Sequence, residues 1–323
     1  MRILQVSAEI FPLLKTGGLA DIAGALPAAL QEAGCDVRVM LPGFPAICAG
    51  LDGAVPVGSF AMPWGERVEV VYGTLPALAR EGRTLGAYVL IAPGLYDRPG
   101  NPYEDANKQA YGDNHRRFAA LGLAAAHVAH GLDAQWRPQL VHSHDWHAAL
   151  APASLALWNE GRGPHVPSVY TVHNLAYQGV FGPEHFGDLG LPGRAFHVHG
   201  MEFHGQLSFM KAGLFYANHV TTVSPTYAHE IQGPEQGCGL DGLLRARHQH
   251  LSGILNAVDD SVWNPATDTL IAHRFDARHM AGKAQSKAAL QAEMGLALEP
   301  DAPLFAVVSR LTEQKGLPLV LAA

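Results

Sequence analysis

Cysteine is scarce. Cys35, Cys48 and Cys238 are the three in 323 residues. No two stand in CxxC spacing, so neither a disulfide framework nor a thiolate zinc site is expected. Charge is sparse as well. Asp, Glu, Lys and Arg make up 16% of the chain, with 29 acidic against 22 basic residues and a net charge of −7 with histidine neutral. A chain without positive excess has no general attraction for polyanions, so nucleic acid is not an expected partner and any anion site must be local. Long apolar runs are missing, and no stretch is long enough to span a bilayer. The opening MRILQVSAEIFP has too short an apolar run for a secretion signal and is broken by Glu9. Free thiols and the lack of a leader together place the expectation in the cytoplasm. No internal repeat or low-complexity segment is present.

Apolar mass is abundant. Hydrophobic residues make up 48%, enough for a sizeable core in one large domain or two smaller ones. Ile3–Ala8 reads as a short buried strand, followed by glycines and a helical pattern from Leu19 to about Ala33. Pro27 lies inside that pattern, so a kink or a late start is expected. Val37–Leu41 is a second strand, closed by Pro42 and Gly43. Strand, glycine turn, helix and strand form a βαβ unit with a parallel sheet. Strands are expected at Val68–Tyr72, Ala87–Ile91, Leu140–His142, Ser168–Val172, His219–Val223 and Leu251–Leu255. Helices are expected at Asn107–His130, Ala148–Trp158 and Ser208–Tyr216. The alternation implies a doubly wound α/β sheet over residues 1–264. Residues 265–282 read as a linker. Lys283–Met294 is helical with Gly295 as its stop, Leu304–Val308 is a strand, and Gln314-Lys315-Gly316 opens a turn. The chain stops at Leu321-Ala322-Ala323, inside a helical pattern, as if residues 283–323 began a second α/β domain.

Three segments carry chemistry. Lys15-Thr-Gly-Gly-Leu-Ala-Asp21 lies between a strand and a helix, where glycines admit a close ligand and free N–H groups favour an anion. Lys15 adds charge at that edge, and a diphosphate fits. The segment is neither GxGxxG nor the GxxxxGK[ST] phosphate loop, and a plain tight turn with a solvated lysine reads equally well. His142-Ser-His144-Asp145-Trp-His147 follows a strand and could bind zinc as a metallohydrolase does. Its spacing misses the HxHxDH run by one position, and 18 histidines make chance clusters common. A polar patch for a hydroxyl-rich sugar is the better functional reading. Thr171-Val-His173-Asn174-Leu-Ala-Tyr177-Gln178-Gly179 is another strand end with polar side chains, and no GxSxG elbow supplies an acyl-transfer nucleophile.

Taken together, SAEIFPLLKTGGLADIAGALPAAL, LYDRPGNPY, HSHDWHAAL, TVHNLAYQG, VSPTYAHEI, GILNAVDDSVWNP and VVSRLTEQKGL resemble, in order and along the whole chain, the bacterial glycogen (starch) synthases of glycosyltransferase family 5. The resemblance implies the GT-B architecture, in which two doubly wound, Rossmann-like domains face each other. It implies retaining transfer of glucose from ADP-glucose, or UDP-glucose in some relatives, to the 4-hydroxyl of an α-1,4-glucan, without a cofactor or metal. It places Lys15, Gly17, Gly18 and Asn256 at the donor. His173 and Asp21 lie at the transferred sugar, Arg310 and Lys315 at the leaving diphosphate, and Glu9, Tyr96, Asn101, Asp145 and His147 on the acceptor side. Front-face retention, with no enzymic nucleophile, is the family expectation. Ala257 departs from the glycine that many relatives carry, with a mild effect expected. The family's second domain runs well past Ala323, so the chain is expected to be an incomplete and inactive enzyme. Two alternatives stand beside this: a sucrose-synthase-like transferase of the same architecture, and a glucan-binding fragment without turnover.

Overall fold

The structure, a computed structural model, describes residues 1–158, 165–311 and 313–322. It divides into two units, Met1–Asn256 and Ala257–Ala323.

In the first unit, β1 (Arg2–Val6) is buried along nearly its whole length, the pattern of a strand covered on both faces. It pairs in parallel with β2 (Asp36–Pro42) on one side and β6 (Leu140–His144) on the other. The nine-stranded sheet runs β12-β11-β7-β6-β1-β2-β5-β4-β3. Here β7 is Ser168–Val172, β11 His219–Thr222 and β12 Leu251–Gly253, all parallel to their neighbours. β5 (Arg83–Ile91) is parallel to β2, and then β4 (Arg67–Arg80) and β3 (Asp52–Ala61) continue the edge antiparallel. The doubly wound α/β expectation therefore holds, with an antiparallel meander added. The β4–β5 hairpin turns on Glu81 (φ 49°) and Gly82 (φ 76°), both left-handed as a two-residue hairpin loop requires. A small antiparallel sheet, β8 (Val180–Phe181), β10 (Gln206–Ser208) and β9 (Glu202–Phe203), lies outside the main one.

The first helix, α1, runs unbroken from Gly18 to Glu32 through Pro27, so Pro27 neither delays nor ends it. Proline at 27 leaves the Ala23 carbonyl without its helical donor. The Gln5 side chain of β1, 1% exposed, donates to that carbonyl at 2.9 Å and replaces the missing bond. The helix expected from Asn107 starts at Asn114 and ends at Ala129. Residues 107–113 turn instead: Asp105 Oδ1 accepts from the Asn107 and Gln109 amides, and Lys108 takes φ 61°. Fourteen of that helix's sixteen residues are buried, so it shows no clean amphipathic period. Its Phe118 belongs to one core cluster and its Leu121 to the other, so it joins the two. Ser208 caps the helix Phe209–Tyr216 by accepting from Lys211 N at 3.1 Å.

In the second unit the helix Ala281–Glu293 ends where expected, with Gly295 at φ 66°. Leu317–Ala322 is helical, while Thr312 and Ala323 lie outside the described residues. The strand expected at Leu304–Val308 is not formed. A strand exists by pairing, this segment pairs with no other described segment, and Phe305 and Val308 are 88% and 98% exposed. No described helix is long and apolar enough to cross a membrane.

The Gln5–Ala23 contact generates a prediction. Gln5→Leu leaves a buried carbonyl unpaired and costs about 1–2 kcal/mol in urea or thermal unfolding. In a Pro27→Ala background the backbone donor returns and that cost shrinks toward zero. An equal cost in both backgrounds would show that Gln5 does not compensate for Pro27.

Candidate functional site

The chain leaves β1 toward β2 on one side, and later leaves β6 toward β7 on the other. The loops that follow β1 and β6 therefore diverge and open a crevice at the carboxyl ends of the strands, where open α/β sheets bind ligands.

After β1 comes Glu9, 2% exposed. It accepts from the Thr16 amide and the Thr16 hydroxyl, and Tyr103 donates its hydroxyl to it from another loop. These donors fix the start of α1 in front of the crevice. Gly17 precedes the helix with no side-chain cap, and its φ of −160° is one any residue adopts. A Cβ at Gly17 or Gly18 would meet nothing within 4 Å. No described residue demands glycine at either position, so the space they leave is external and faces uncapped helix N–H groups. Lys15 pairs with Asp21 Oδ1 at 2.7 Å, and its ammonium lies 5.4 Å from the Phe11 ring centre. Both partners are about one-third exposed, so the pair contributes little stability and can rearrange around an anion.

After β6 comes Asp145, held at φ 54°, a left-handed conformation in a non-glycine residue. Its Oδ1 accepts from the His173 amide at 2.7 Å and the Asn174 amide at 3.4 Å, so β6 and β7 present their ends together. Burial pushes its carboxyl above the usual range, and the neighbouring His173 pulls it back. His144 Nδ1 lies 3.0 Å from His173 Nε2. His142 Nε2 lies 2.6 Å from Thr171 Oγ1. The Tyr103 ring stacks on His147 at 4.6 Å. Burial drives the His142 imidazole down to about 4, His147 to about 3, and lowers His144 and His173 as well, with the other imidazoles adding to the effect on His142, His144 and His147. All four are neutral near pH 7. Tyr103 is pushed up by burial and then by the Glu9 charge. Glu9, Thr16, Tyr103 and His147 thus form one connected set, and Asp145, His173 and His144 a second one beginning at the same strand end.

The acceptor-side residues are engaged by protein partners. Tyr96 is 1% exposed and donates its hydroxyl to the Arg117 carbonyl at 2.6 Å. Glu9 is likewise enclosed, and its oxygens are taken by protein donors. Asn101 is exposed, but its amide oxygen accepts from the Tyr103 and Glu104 amides and shapes the loop that carries Tyr103. Asn256 is exposed just past β12, with its amide on the Val223 carbonyl at 3.3 Å. Arg310 and Lys315 are exposed residues of the second unit.

Sequence reasoning passed over Arg117 and Tyr103. Arg117 is 1% exposed and donates to the carbonyls of Leu95 and Pro102 at 2.7 and 2.8 Å, which holds the Tyr103 loop against its helix. An arginine inside an alanine-rich helix gave no such signal. A second histidine group was also missed. His115, His185 and Asp188 bring ligand-type atoms within 4.8 Å, the one such trio among the described residues. The two imidazoles there stack at 3.9 Å, and Asp188 Oδ2 lies 3.0 Å from His115 Nε2 while it pairs with Arg116 Nε at 2.7 Å.

The buried histidines set a pH response. Unfolded histidines titrate near 6.5, above their folded values. Between those values the unfolded chain binds more protons, so stability falls as pH falls. Unfolding free energy is expected to hold above about pH 6.5 and to drop steadily toward pH 4, as followed by urea titration. A flat profile across that window would show that these imidazoles are not buried neutral.

With this geometry in hand, the chain compares as follows. The starch synthase catalytic domain family matches residues 2–246. A glycogen synthase of Variovorax paradoxus is 64% identical over 325 residues, covering 99% of this chain and 66% of the relative. A glycogen synthase of Leptothrix cholodnii is 60% identical over 328 residues, and one of Yersinia enterocolitica 54% over 325, each covering 100% of this chain and 66% of the relative. The chain thus spans 66% of the length of these curated relatives. Among solved structures, the catalytic domain of starch synthase IV from Arabidopsis thaliana, bound to ADP and acarbose, aligns with a TM-score of 0.83 at 28% identity, covering 99% of this chain and 64% of that one. The open glycine turn and the histidine-rich strand ends both fall within the matched residues 2–246, and on that evidence the chain belongs to the starch synthase catalytic domain family.

Proposed function

We propose that this chain is the larger part of a glycogen synthase that transfers glucose from ADP-glucose to the non-reducing 4-hydroxyl of an α-1,4-glucan, with retention of configuration. The observation that carries this reading is the helix start at Gly17 and Gly18, open to the outside and flanked by Lys15. The relatives' names and the ADP and acarbose in the plant structure support the substrate classes. The proposal takes residues 1–264 as the first domain, 265–282 as the linker and 283–323 as the start of the second. It places the protein in the cytoplasm and needs no cofactor.

In this reading the diphosphate of the donor lies on the N–H groups of α1, and Lys15 exchanges Asp21 for a phosphate oxygen. As the glycosidic bond breaks, negative charge grows on the departing diphosphate. Fixed positive charge there lowers the barrier more than it stabilises the ground state. Arg310 and Lys315 of the second unit are assigned to the same charge. His173, backed by Asp145 and neutral at pH 7, holds a sugar hydroxyl and orients the ring. No carboxylate pair is assigned, so the acceptor's proton passes to the leaving phosphate as the new bond forms on the same face, unlike the two-carboxylate retaining hydrolases. His147 and Asn174 offer polar contacts toward the glucan.

The test is transfer of labelled glucose to glycogen from ADP-glucose and from UDP-glucose, by this chain and by a version extended with the C-terminal third of a relative. Transfer by the extended chain, preferring ADP-glucose, is expected. A preference for UDP-glucose or for a free sugar acceptor would favour the sucrose-synthase-like reading. Glycogen binding without transfer by either version would leave a glucan-binding fragment. In the extended chain, Lys15→Ala is expected to lower kcat/KM for the donor by about 10- to 100-fold, the worth of a charged hydrogen bond. Unchanged kinetics would remove Lys15 from the diphosphate. His173→Ala is expected to reduce kcat with the donor KM nearly unchanged; a matching loss in donor affinity would make it a binding residue only.

A further inference from the structure

We infer that His144 is a positioning residue that fixes the tautomer of His173, so that His173 presents an N–H donor and not a lone pair at Nδ1. The contact is His144 Nδ1 to His173 Nε2 at 3.0 Å, and one of the two must donate. If His173 donated, His144 would carry its own proton on Nε2. That atom is buried and has no partner among the described residues, and His144 is 0% exposed. An orphaned buried N–H is the rarer and costlier arrangement. If His144 donates from Nδ1, only a lone pair is left unpaired, and His173 then has its proton on Nδ1.

The surroundings leave His144 little freedom to choose otherwise. The His142 ring packs against it at 4.3 Å. His142 is itself tied through Nε2 to Thr171 Oγ1, and Thr171 Oγ1 to Thr221 Oγ1, each at 2.6 Å. On the other side, the His173 amide is held by Asp145 at 2.7 Å, which fixes where its ring begins. The three imidazoles are kept neutral by burial, so the question is one of tautomer and not of charge.

The consequence for catalysis rests on the transferase reading above; the tautomer does not. An Nδ1–H can donate to any sugar hydroxyl oxygen but cannot accept a proton. His173 would then hold and orient the donor glucose and take no part as a base, in keeping with a proton that leaves on the phosphate.

The test is a long-range ¹H–¹⁵N correlation spectrum of the chain labelled at histidine nitrogen, at a pH above 7, with His173 assigned by its loss in His173→Gln. The wild-type spectrum is expected to show Nδ1 protonated and Nε2 bare. His144→Asn, whose amide N–H₂ reaches the place of Nδ1, is expected to keep that pattern. His144→Leu is expected to shift His173 toward the Nε2–H form that an unconstrained imidazole prefers. In the extended chain it should lower kcat about 10-fold at nearly constant donor KM. A wild-type His173 protonated on Nε2 overturns the inference, as does a His144→Leu spectrum with the Nδ1–H form unchanged. If His144→Leu does not fold, the wild-type spectrum decides alone. The spectrum needs neither donor nor glucan. The expected tautomer in this chain, with no glucose transferred by its extended version, would sink the transferase reading and leave this one standing.

Discussion

The Glu9 carboxyl group stands at the end of the central strand with three protein donors aimed at it. Two come from Thr16, just ahead of α1, and one from Tyr103, in a loop more than ninety residues away. Its 2% exposure would be costly for an unpaired carboxylate, and the three donors offset that cost. What they also do is tie the glycine turn to the loop that stacks on His147. The resemblance suggested that Glu9 touches the acceptor. The geometry gives it the work of holding both sides of the crevice in one register.

Around that tie the fold supplies two further supports. The order of strands places the β1 and β6 loops on either side of a gap, which no single motif could arrange. The helix Asn114–Ala129, buried almost all round, then anchors the Tyr103 loop through Arg117, while Tyr96 returns the contact from its hydroxyl. The histidines behind Asp145 stay neutral because they are buried. A set of imidazoles that would repel one another when charged can therefore sit in contact.

Much of this was legible in the sequence, and the exceptions have physical causes. Ser168–Val172 was read to its ends because an apolar run bounded by Pro167 and a polar cluster leaves little choice. The glycine turn and His173 were visible as strand ends with polar or glycine residues. Pro27 misled because its remedy, Gln5, lies on another element. The β4–β5 hairpin was hidden because Glu-Gly is a weaker turn signal than Asn-Gly, and β3 because it is an irregular edge with bulges. Leu304–Val308 has the composition of a strand, but composition does not provide a neighbour.

The central claim is that Glu9 joins the glycine turn to the Tyr103 loop. Hydrogen–deuterium exchange of the wild-type chain and of Glu9→Gln tests it most directly, because Gln keeps the shape but loses half of the acceptor capacity. The account predicts faster exchange in two separate segments at once, residues 16–20 and residues 100–113, with β7 and β11 unchanged. Faster exchange in only one segment, or in neither, would contradict it.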